Sequence, residues 1–456
     1  FNALRIAHNP PSETLMEICD ELGIIVMDEA FDCWRLDKGG RNNYHRYFDE
    51  WWERDTELMV RRDRRHTSVI AFSIGNEIPE SKGDTDGDEW SKRISDKIRS
   101  LDPTRLVTSA TYQMTGEDVW ADNTKGYYAP LDICGYNYIY PRYERDHEQF
   151  PERVIWGSET HALKFYDSWH KVLALPYGIG DFTWTAYDNL GEAGTGNSCW
   201  ARDGHIPGIR LFGYPWRSCY QGDLDLCGFR RPQSYFREAV WIGGVTALFT
   251  THPEHYGEDF SGTGWHWYDV LDSWTFDDKY IGKPVKCEVY TDADEVEWYL
   301  NGSLVGKSKT EKAISTLDIP YEKGVLEVIA YKDGKVCGRS SLHTVGKAHF
   351  IKLSPETHEI TADGRDLCYI DIFVTDENGD RIPDSKAELS CIVDGGELMG
   401  IFSGAPKNED SYGSSICHAF EGRAVAIIKT SAPGEVTVTV GSPKLYSGKA
   451  IIKAVK

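Results

Sequence analysis

The chain has 456 residues, of which 40% are hydrophobic and 27% are charged. At about 150 residues per domain, this length predicts two or three domains, and the composition is globular rather than disordered. A formal net charge of −22 argues against nucleic acid as a partner, because phosphate binding needs a basic surface. No apolar run approaches the roughly 20 residues that cross a bilayer, so we predict no membrane partner. The 11 cysteines show no CxxC spacing and are predicted to be free thiols.

Short apolar runs alternate with helical patterns over residues 1–283, and such runs are typical of parallel strands covered on both faces. This alternation predicts an α/β fold, here the (β/α)8 TIM barrel of a catalytic domain. Seven strands are counted, and the first begins at residue 3, so we expect the first of the eight barrel strands to lie upstream of residue 1. The helical patterns cover Ser12–Leu22, Tyr47–His66 and Asp88–Leu101. The predicted strands are Ala3–Ile6, Ile24–Asp28, Val69–Ser73, Leu106–Ser109, Ile133–Asn137, Val154–Ser158 and Asp181–Thr185.

The residues after 283 have a different pattern. Only one of the 15 tryptophans, Trp298, lies there. Apolar and polar residues alternate as in strands with one buried face, and Asn301-Gly302 is a strong hairpin signal. These features predict two immunoglobulin-like β-sandwiches, at residues 284–347 and 348–456. The chain is therefore expected to combine an α/β barrel that lacks its first strand with two all-β domains.

Polar side chains stand at the carboxyl ends of the predicted barrel strands, where the reactive groups of such barrels gather. Glu77 follows one strand and Glu159 ends a later one. Two carboxyl groups suit glycosidic cleavage, because one protonates the leaving oxygen while the other attacks the anomeric carbon or activates a water. Neighbouring strand ends carry further polar or aromatic residues that suit a sugar, namely His8, Asn76, Asp28, Glu29, Tyr136, Asn137, Tyr138 and Trp184.

Five segments then carry a resemblance to a known family. They are NALRIAHNPPS at 2–12, LGIIVMDEAFDCW at 22–34, RRDRRHTSVIAFSIGNEI at 61–78, VIWGSET at 154–160 and GDFTWT at 180–185. In this order they resemble glycoside hydrolase family 2, which includes β-galactosidases, β-glucuronidases and β-mannosidases. The resemblance covers residues 1 to about 245, and the tail is similar to the β-sandwich domains that follow the barrel in bacterial β-galactosidase-like members.

The resemblance implies roles for individual residues. Glu77 matches the family's acid/base and Glu159 its nucleophile. Asp28 and Glu29 match the DEA motif, in which either a structural or a substrate role stays open. Arg5 and His66 also match family positions, and for both a scaffold role competes with a substrate role. The residues expected to contact the sugar are Arg5, His8, Asp28, Asn76, Tyr138, Trp184 and, at a different spacing from the galactosidase pattern, His161.

Two departures from the family pattern bear on metal and specificity. Cys33 and Arg35 stand where magnesium-binding members carry a Glu and a His, and neither suits an oxygen-liganded ion, so we predict no metal and no other cofactor. The segment GDLDLCGFRRPQSYF at 222–236 lacks the Asn-x-Lys motif with which the family's glucuronidases read a sugar carboxylate, although Arg230 or Arg231 could replace it.

The sequence therefore predicts retaining hydrolysis of terminal β-galactosides, with a β-galactoside as the partner. A β-glucuronidase or β-mannosidase of the same family is the alternative, and a catalytically silent carbohydrate-binding protein is the alternative from another class. Because the first barrel strand is expected upstream, the chain alone is expected to have little activity. A homo-oligomer stays open, as do the bacterial cytoplasm and periplasm as its compartment.

Overall fold

The computed structural model describes residues 1–39, 42–112, 120–203 and 213–456. Within these residues the chain forms two compact units, Phe1–Trp184 and Thr185–Lys456. In this described part, no helix combines the length and the apolar character needed to span a bilayer. Each unit has its own hydrophobic cores.

The first unit is built on a sheet of seven parallel strands in the order β1 to β7. Consecutive strands pair along the whole series, beginning with Ala3 opposite Ile25, and the sheet curves until β1 and β7 come into contact. Helices connect the successive strands, which confirms the predicted barrel-type α/β fold. The strands are β1 Ala3–Ile6, β2 Ile25–Glu29, β3 Val69–Asn76, β4 Leu106–Thr111, β5 Ile133–Asn137, β6 Ile155–Thr160 and β7 Gly178–Thr183.

Local sequence signals define the first helix. The side chain of Ser12 accepts a hydrogen bond from the backbone N–H of Leu15, as predicted for an N-cap, and Gly23 ends the helix in the left-handed region at φ 70°. The helices of this unit are α1 Glu13–Leu22, α2 Phe48–Asp63, α3 Gly87–Leu101, α4 Trp120–Asn123, α5 Lys125–Tyr128, α6 Tyr143–Gln149 and α7 Phe165–Ala174.

The parallel sheet has a separate apolar layer on each face. Val26 and Phe72 belong to the large core between the sheet and the helices. Met27 and Ala71 belong instead to a small core that also contains Ile133 and Trp156. Because side chains alternate along a strand, Glu29 projects on the same side of β2 as Met27. Asp28 projects on the other side, with Val26, toward the helices.

The second unit begins with irregular chain, a short β-ribbon of β8 Ser198–Trp200 with β10 Phe260–Gly262, and helix α8 Pro232–Trp241. A first β-sandwich follows, built from a three-stranded and a four-stranded antiparallel sheet. One of its strands, β9 Thr246–Thr250, pairs with β11 and so comes from before residue 284. The others are β11 Pro284–Thr291, β12 Glu295–Leu300, β13 Ser303–Lys309, β14 Ile314–Pro320, β15 Val325–Lys332 and β16 Lys335–His343.

The last part of the second unit is another β-sandwich with its own apolar core. Its nine strands and those of the first sandwich confirm the all-β character predicted for the tail. Whether the domain boundaries fall at 283 and 347 stays a prediction. In the part of the chain that the structure describes, no cysteine forms a disulfide, and Cys337 is exposed at the surface. The strands are β17 Phe350–Pro355, β18 Glu359–Thr361, β19 Cys368–Thr375, β20 Glu388–Asp394, β21 Glu397–Phe402, β22 Ile416–His418, β23 Arg423–Lys429, β24 Gly434–Ser442 and β25 Leu445–Val455.

Candidate active site

Both predicted catalytic carboxylates lie at the carboxyl ends of parallel strands. Glu159 is in β6, and Glu77 directly follows β3. The backbone of Glu77 is in the left-handed region at φ 45°, and Tyr138, just after β5, is there at φ 62°. Non-glycine residues seldom adopt this conformation, and it is concentrated at functional sites. Here it turns the chain sharply as it leaves the sheet.

Arg5 of β1 connects most of the site. Its Nη1 donates a hydrogen bond to Oε1 of Glu159 at 2.7 Å, and its Nη2 donates to Oε1 of Glu29 at 2.9 Å and to Oδ1 of Asn76 at 2.9 Å. The side chain is 3% exposed. Burial disfavours its charge, but the carboxylates of Glu29 and Glu159 outweigh burial and hold the pKa of Arg5 above its ordinary value. Arg5 is therefore a permanent cation that positions Glu159.

Glu29 is the buried counter-charge of this group. Its carboxylate receives hydrogen bonds from Arg5 and, at 2.7 Å, from the hydroxyl of Ser73. Its Oε1 also lies 2.8 Å from Nδ1 of His8. Burial opposes the ionisation of Glu29, but the charge of Arg5 and the contact with His8 hold its pKa at about 2. Glu29 is thus a fixed anion that orients both Arg5 and the His8 ring.

Glu77 has the opposite electrostatic environment. Burial raises its pKa above the ordinary value, and the negative charge of Glu159 raises it further. Asn137 Nδ2 donates to its Oε1 at 3.1 Å, and Lys38 Nζ lies 3.9 Å from its Oε2, which partly offsets the rise. The side chain remains 24% exposed, so a ligand can reach it. A carboxyl with a raised pKa can hold a proton near neutral pH, as a general acid must.

Two asparagines link the two carboxylates. Asn137 Nδ2 also donates to Oδ1 of Asn76 at 3.0 Å, and Ser158 Oγ donates to Oδ1 of Asn137 at 2.6 Å. Asn76 Nδ2 in turn contacts Nε2 of His8 at 3.3 Å and Oδ1 of Asp32 at 3.3 Å. The predicted sugar contact Asn76 is therefore held in a fixed orientation beside Glu77.

The predicted aromatic contacts form two stacks. The rings of His8 and Trp184 stack with centroids 4.8 Å apart and planes at 11°. The rings of Tyr138 and His161 stack at 4.1 Å and 24°. The backbone N–H of Tyr138 donates to the carbonyl of Glu159 at 2.7 Å, which places this second stack beside the nucleophile candidate. Both stacks are half-buried and present partly apolar faces of the kind that pack against a sugar ring.

Asp28, which was predicted to contact substrate, is not brought into this group. It faces α2, where Asp63 receives two hydrogen bonds from Arg62, both at 2.6 Å. Burial and the charge of Asp63 raise the pKa of Asp28 well above its usual range. The alternation of side chains along β2 explains the difference, because it gives the site Glu29 and leaves Asp28 behind the sheet.

The other motif residues stand apart from the two carboxylates. His66 Nδ1 contacts Oδ2 of Asp20 at 2.7 Å, which connects α1 to the start of β3. Cys33 is fully buried, and Arg35 pairs with Asp49 and Asp86. Across the described residues, no group of three or more His, Cys, Asp or Glu side chains is arranged to hold a metal ion.

The sequence analysis assigned no individual role to several residues of this site. Asn137 was noted among the polar residues at the strand ends, so its position was a signal, but no function was given to it. Lys38 and Asp32 come from the loop after β2, and Lys38 Nζ donates to Oδ1 of Asp32 at 2.8 Å and to the carbonyl of Asn76 at 3.0 Å. Nothing in the sequence pattern of that loop marks either residue.

Parallel strands thus present one arginine-bound carboxylate and one carboxyl of raised pKa, and glycosidic cleavage uses a pair of carboxyl groups. Residues 1–159 match the family described as "Glycosyl hydrolases family 2, TIM barrel domain", and residues 351–451 match "Glycoside hydrolase family 2 C-terminal domain 5". A domain family of unknown function matches residues 282–338. The chain belongs to glycoside hydrolase family 2.

Individual relatives agree with this assignment. The β-galactosidase BoGH2A of Bacteroides ovatus is 28% identical over 99% of the chain and 57% of its own length. A putative β-glucuronidase of Formosa agariphila is 27% identical over 78% of the chain and 35% of its own length. A solved family 2 structure from Bacteroides cellulosilyticus has a TM-score of 0.92 at 35% identity, over 100% of the chain and 58% of its own. The chain thus spans between about a third and somewhat more than half of the length of these relatives.

Proposed function

We propose that the complete protein is a retaining glycosidase that removes terminal β-galactosyl residues. The observation that carries the proposal is the contrast between the two glutamates. Glu159 is bound by a permanent cation, whereas Glu77 is raised in pKa by burial and by the charge of Glu159. Retaining hydrolysis needs this division, because the nucleophile must be anionic while the acid still carries its proton.

In the first step an oxygen of Glu159 attacks the anomeric carbon. We assign this attack to Oε2, because Oε1 accepts a hydrogen bond from Arg5. The bond from the anomeric carbon to the leaving oxygen breaks, and the proton of Glu77 moves to that oxygen. The products are a glycosyl ester on Glu159 and the released aglycone.

In the second step a water attacks the same carbon. Its proton passes to Glu77 and the ester bond to Glu159 breaks, which restores both groups. Glu77 changes role because esterification removes the negative charge that raised its pKa. Its pKa falls in the intermediate, so the same residue becomes a better base.

The contacts of three cations, Arg230, Arg231 and Lys38, support galactose rather than glucuronate as the sugar. Recognition of a carboxylate needs a cation that is not already paired. Arg230 is paired with Glu238 at 2.6 Å, and Arg231 donates to the carbonyl of Gly222 at 3.3 Å. Near Glu77, Lys38 is already bonded to Asp32 and to the carbonyl of Asn76. The β-galactosidase relative also covers more of the chain than the putative β-glucuronidase does.

Initial rates on the 4-nitrophenyl β-galactoside, β-glucuronide and β-mannoside test this proposal, with protein expressed from the complete gene. We expect the galactoside to be hydrolysed fastest and proton NMR to detect the β-anomer of galactose first. A faster rate on the glucuronide would overturn the choice of sugar. Release of the α-anomer first would overturn Glu159 as the nucleophile, and no turnover of any glycoside would favour the silent binding protein.

A further inference from the structure

The second unit contains a cavity of about 570 Å³ that the candidate active site does not use. This volume lies within the range of about 300–1,000 Å³ that is common for small-molecule sites. Aromatic side chains form much of its wall, namely Trp200, Trp216, Tyr220 and Phe260. Their rings offer flat apolar surfaces, and those of Trp216, Tyr220 and Phe260 are half-buried rather than fully enclosed.

The wall around Trp216 is held by backbone hydrogen bonds. Trp216 forms a β-bridge with Lys407. On either side of it, the N–H of Arg217 donates to the carbonyl of Pro406 at 2.8 Å, and the N–H of Asn408 donates to the carbonyl of Pro215 at 2.9 Å. A ligand would therefore meet a preorganised surface, which lowers the entropic cost of binding.

Two buried polar groups at this cavity lack partners. Ser403 and Asn408 both line it and are 1% and 6% exposed. Within the part of the chain that the structure describes, Oγ of Ser403 and Nδ2 of Asn408 have no hydrogen-bond partner. Buried polar atoms in native proteins are almost always paired, so these two require an explanation. Both atoms are closed off from solvent, and a small side-chain rotation that brings them to the hydroxyl groups of a bound ligand would supply one.

The charges around the cavity are mixed. Lys386 and Lys407 are balanced by acidic residues, and two of the acids already have partners. Asp269 accepts from Nε1 of Trp200 at 2.7 Å, and Asp410 lies 2.8 Å from Nδ1 of His418. Because the charges balance, the cavity has no strong net electrostatic field that would favour a highly charged ligand. Flat apolar walls, unpaired polar groups and balanced charge together fit a neutral sugar.

An adjacent cavity of about 410 Å³ provides a comparison within the same unit. Its charged side chains pair with one another, for example Arg230 with Glu238 and Arg423 with Glu421. In the described part of the chain, none of the unpaired buried polar atoms belongs to a residue that lines it. The features that point to a ligand are therefore particular to the larger cavity.

From these observations we infer that the cavity around Trp216 binds a neutral oligosaccharide. The inference rests on the proposed function only in taking carbohydrate as the class of ligand. It adds a second place where the protein holds a glycan, built entirely from residues of the second unit. Ser403 and Asn408 would bond to sugar hydroxyls while Trp216 packs against a ring face.

Fluorine NMR of the complete protein labelled with 5-fluorotryptophan tests this inference with a reporter in each site. Trp216→Phe identifies the resonance of Trp216, and Trp184→Phe identifies that of Trp184. The probe is β-1,4-galactotriose, with cellotriose as a second neutral trisaccharide. We expect a saturable shift of the Trp216 resonance with at least one of them. Asn408→Ala should weaken this response about tenfold and leave hydrolysis of the nitrophenyl galactoside within about twofold.

The outcomes separate the two proposals. If the trisaccharides shift only the Trp184 resonance, or shift neither resonance, the carbohydrate site around Trp216 is refuted while the proposed function can stand. If the Trp216 resonance shifts and no glycoside is hydrolysed, the site stands and the proposed function fails. Tyr446→Ala, at an exposed position of the second sandwich that does not line the cavity, is the matched control and should change neither signal.

Discussion

The two faces of strand β2 treat neighbouring carboxyl groups in opposite ways. On the inner face, Glu29 meets Arg5, His8 and Ser73, and its pKa is held at about 2. On the outer face, Asp28 meets Asp63, and burial and that negative charge raise its pKa well above the usual range. Both residues are fully buried. Burial alone therefore does not set the charge state, and the partner on each face decides it.

The two faces also differ in the charged groups that surround each carboxyl group. The inner face assembles a cation, two anions and two amides beside Glu77, whose side chain remains 24% exposed. The outer face packs its carboxyl pair between sheet and helix, where protonation affects folding rather than chemistry. The inner face should therefore respond to substitution through activity, and the outer face through stability.

The largest effect is expected at Glu159, the proposed nucleophile. Glu159→Gln keeps the shape of the side chain but removes the attacking anion and its ion pair with Arg5. We expect kcat on the nitrophenyl galactoside to fall by at least about 10⁴-fold. Circular dichroism should stay unchanged. Residual activity within tenfold of the parent would show that another group attacks the sugar.

The next effect separates the two faces directly. Glu29→Gln should lower kcat/KM by about 100-fold, because Arg5 and His8 lose the anion that orients them, and small displacements of catalytic groups have effects of this size. Asp28→Asn is the matched control one residue away, and its kcat/KM should stay within about threefold. Similar losses in both variants would contradict the division between the faces.

The third effect is on stability and belongs to the outer face. The raised pKa of Asp28 means that the folded protein keeps a proton that the unfolded chain releases. The stability this proton gives is complete below the unfolded pKa of about 3.9 and is lost as pH rises toward the folded value. Asp28→Asn avoids that loss. Its melting temperature should match the parent near pH 4 and exceed it by about 2–4 °C at pH 8. A constant difference across this range would contradict a proton that Asp28 keeps in the folded protein.

A smaller effect is expected from the loop cation near Glu77. Lys38 lowers the pKa of Glu77, so Lys38→Met should raise it. The alkaline limb of the kcat/KM profile depends on protonated Glu77 and should move to higher pH. Lys82→Met, in the short 3-10 helix Pro79–Lys82, is the control and should leave the limb in place. A shift to lower pH would show that the limb reports a different group.

The smallest effect should come from metal removal. Cys33 and Arg35 occupy the presumed ligand positions, and Lys38 supplies a positive charge beside Asp32. We therefore expect exhaustive treatment with EDTA to change kcat by less than about twofold. A large loss that magnesium restores would mean that ligands come from other residues.

Much of the inner face was predictable from sequence, and the reason is topological. Parallel strands bring their carboxyl ends to one edge, so scanning strand ends found Glu77, Glu159, Asn76 and Tyr138. The choice between Asp28 and Glu29 was not predictable in that way. Strand β2 is buried on both faces, and no alternation of polar and apolar residues indicates which side a carboxylate takes.

Other parts of the fold also lacked a local signal. Helices α4 and α5 have four residues each, too few for a helical period to show. Strand β7 starts at Gly178, three residues before the predicted start, because Gly178 and Gly180 interrupt its apolar run. Strand β9 follows α8 and joins the first sandwich by pairing with β11, which lies about 40 residues later, and only the tertiary structure reveals this pairing.

The left-handed backbone at Glu77 has a consequence for how the family can diverge. A residue at φ 45° is tolerated at little cost as glycine, asparagine or aspartate, whereas valine or isoleucine would strain the chain. Few residue types can therefore replace the proposed acid/base residue without straining the backbone. Related proteins that keep this fold but bind sugars without cleaving them are expected to carry Gly, Asn or Asp at this position. The residue found there would then identify an inactive member from its sequence.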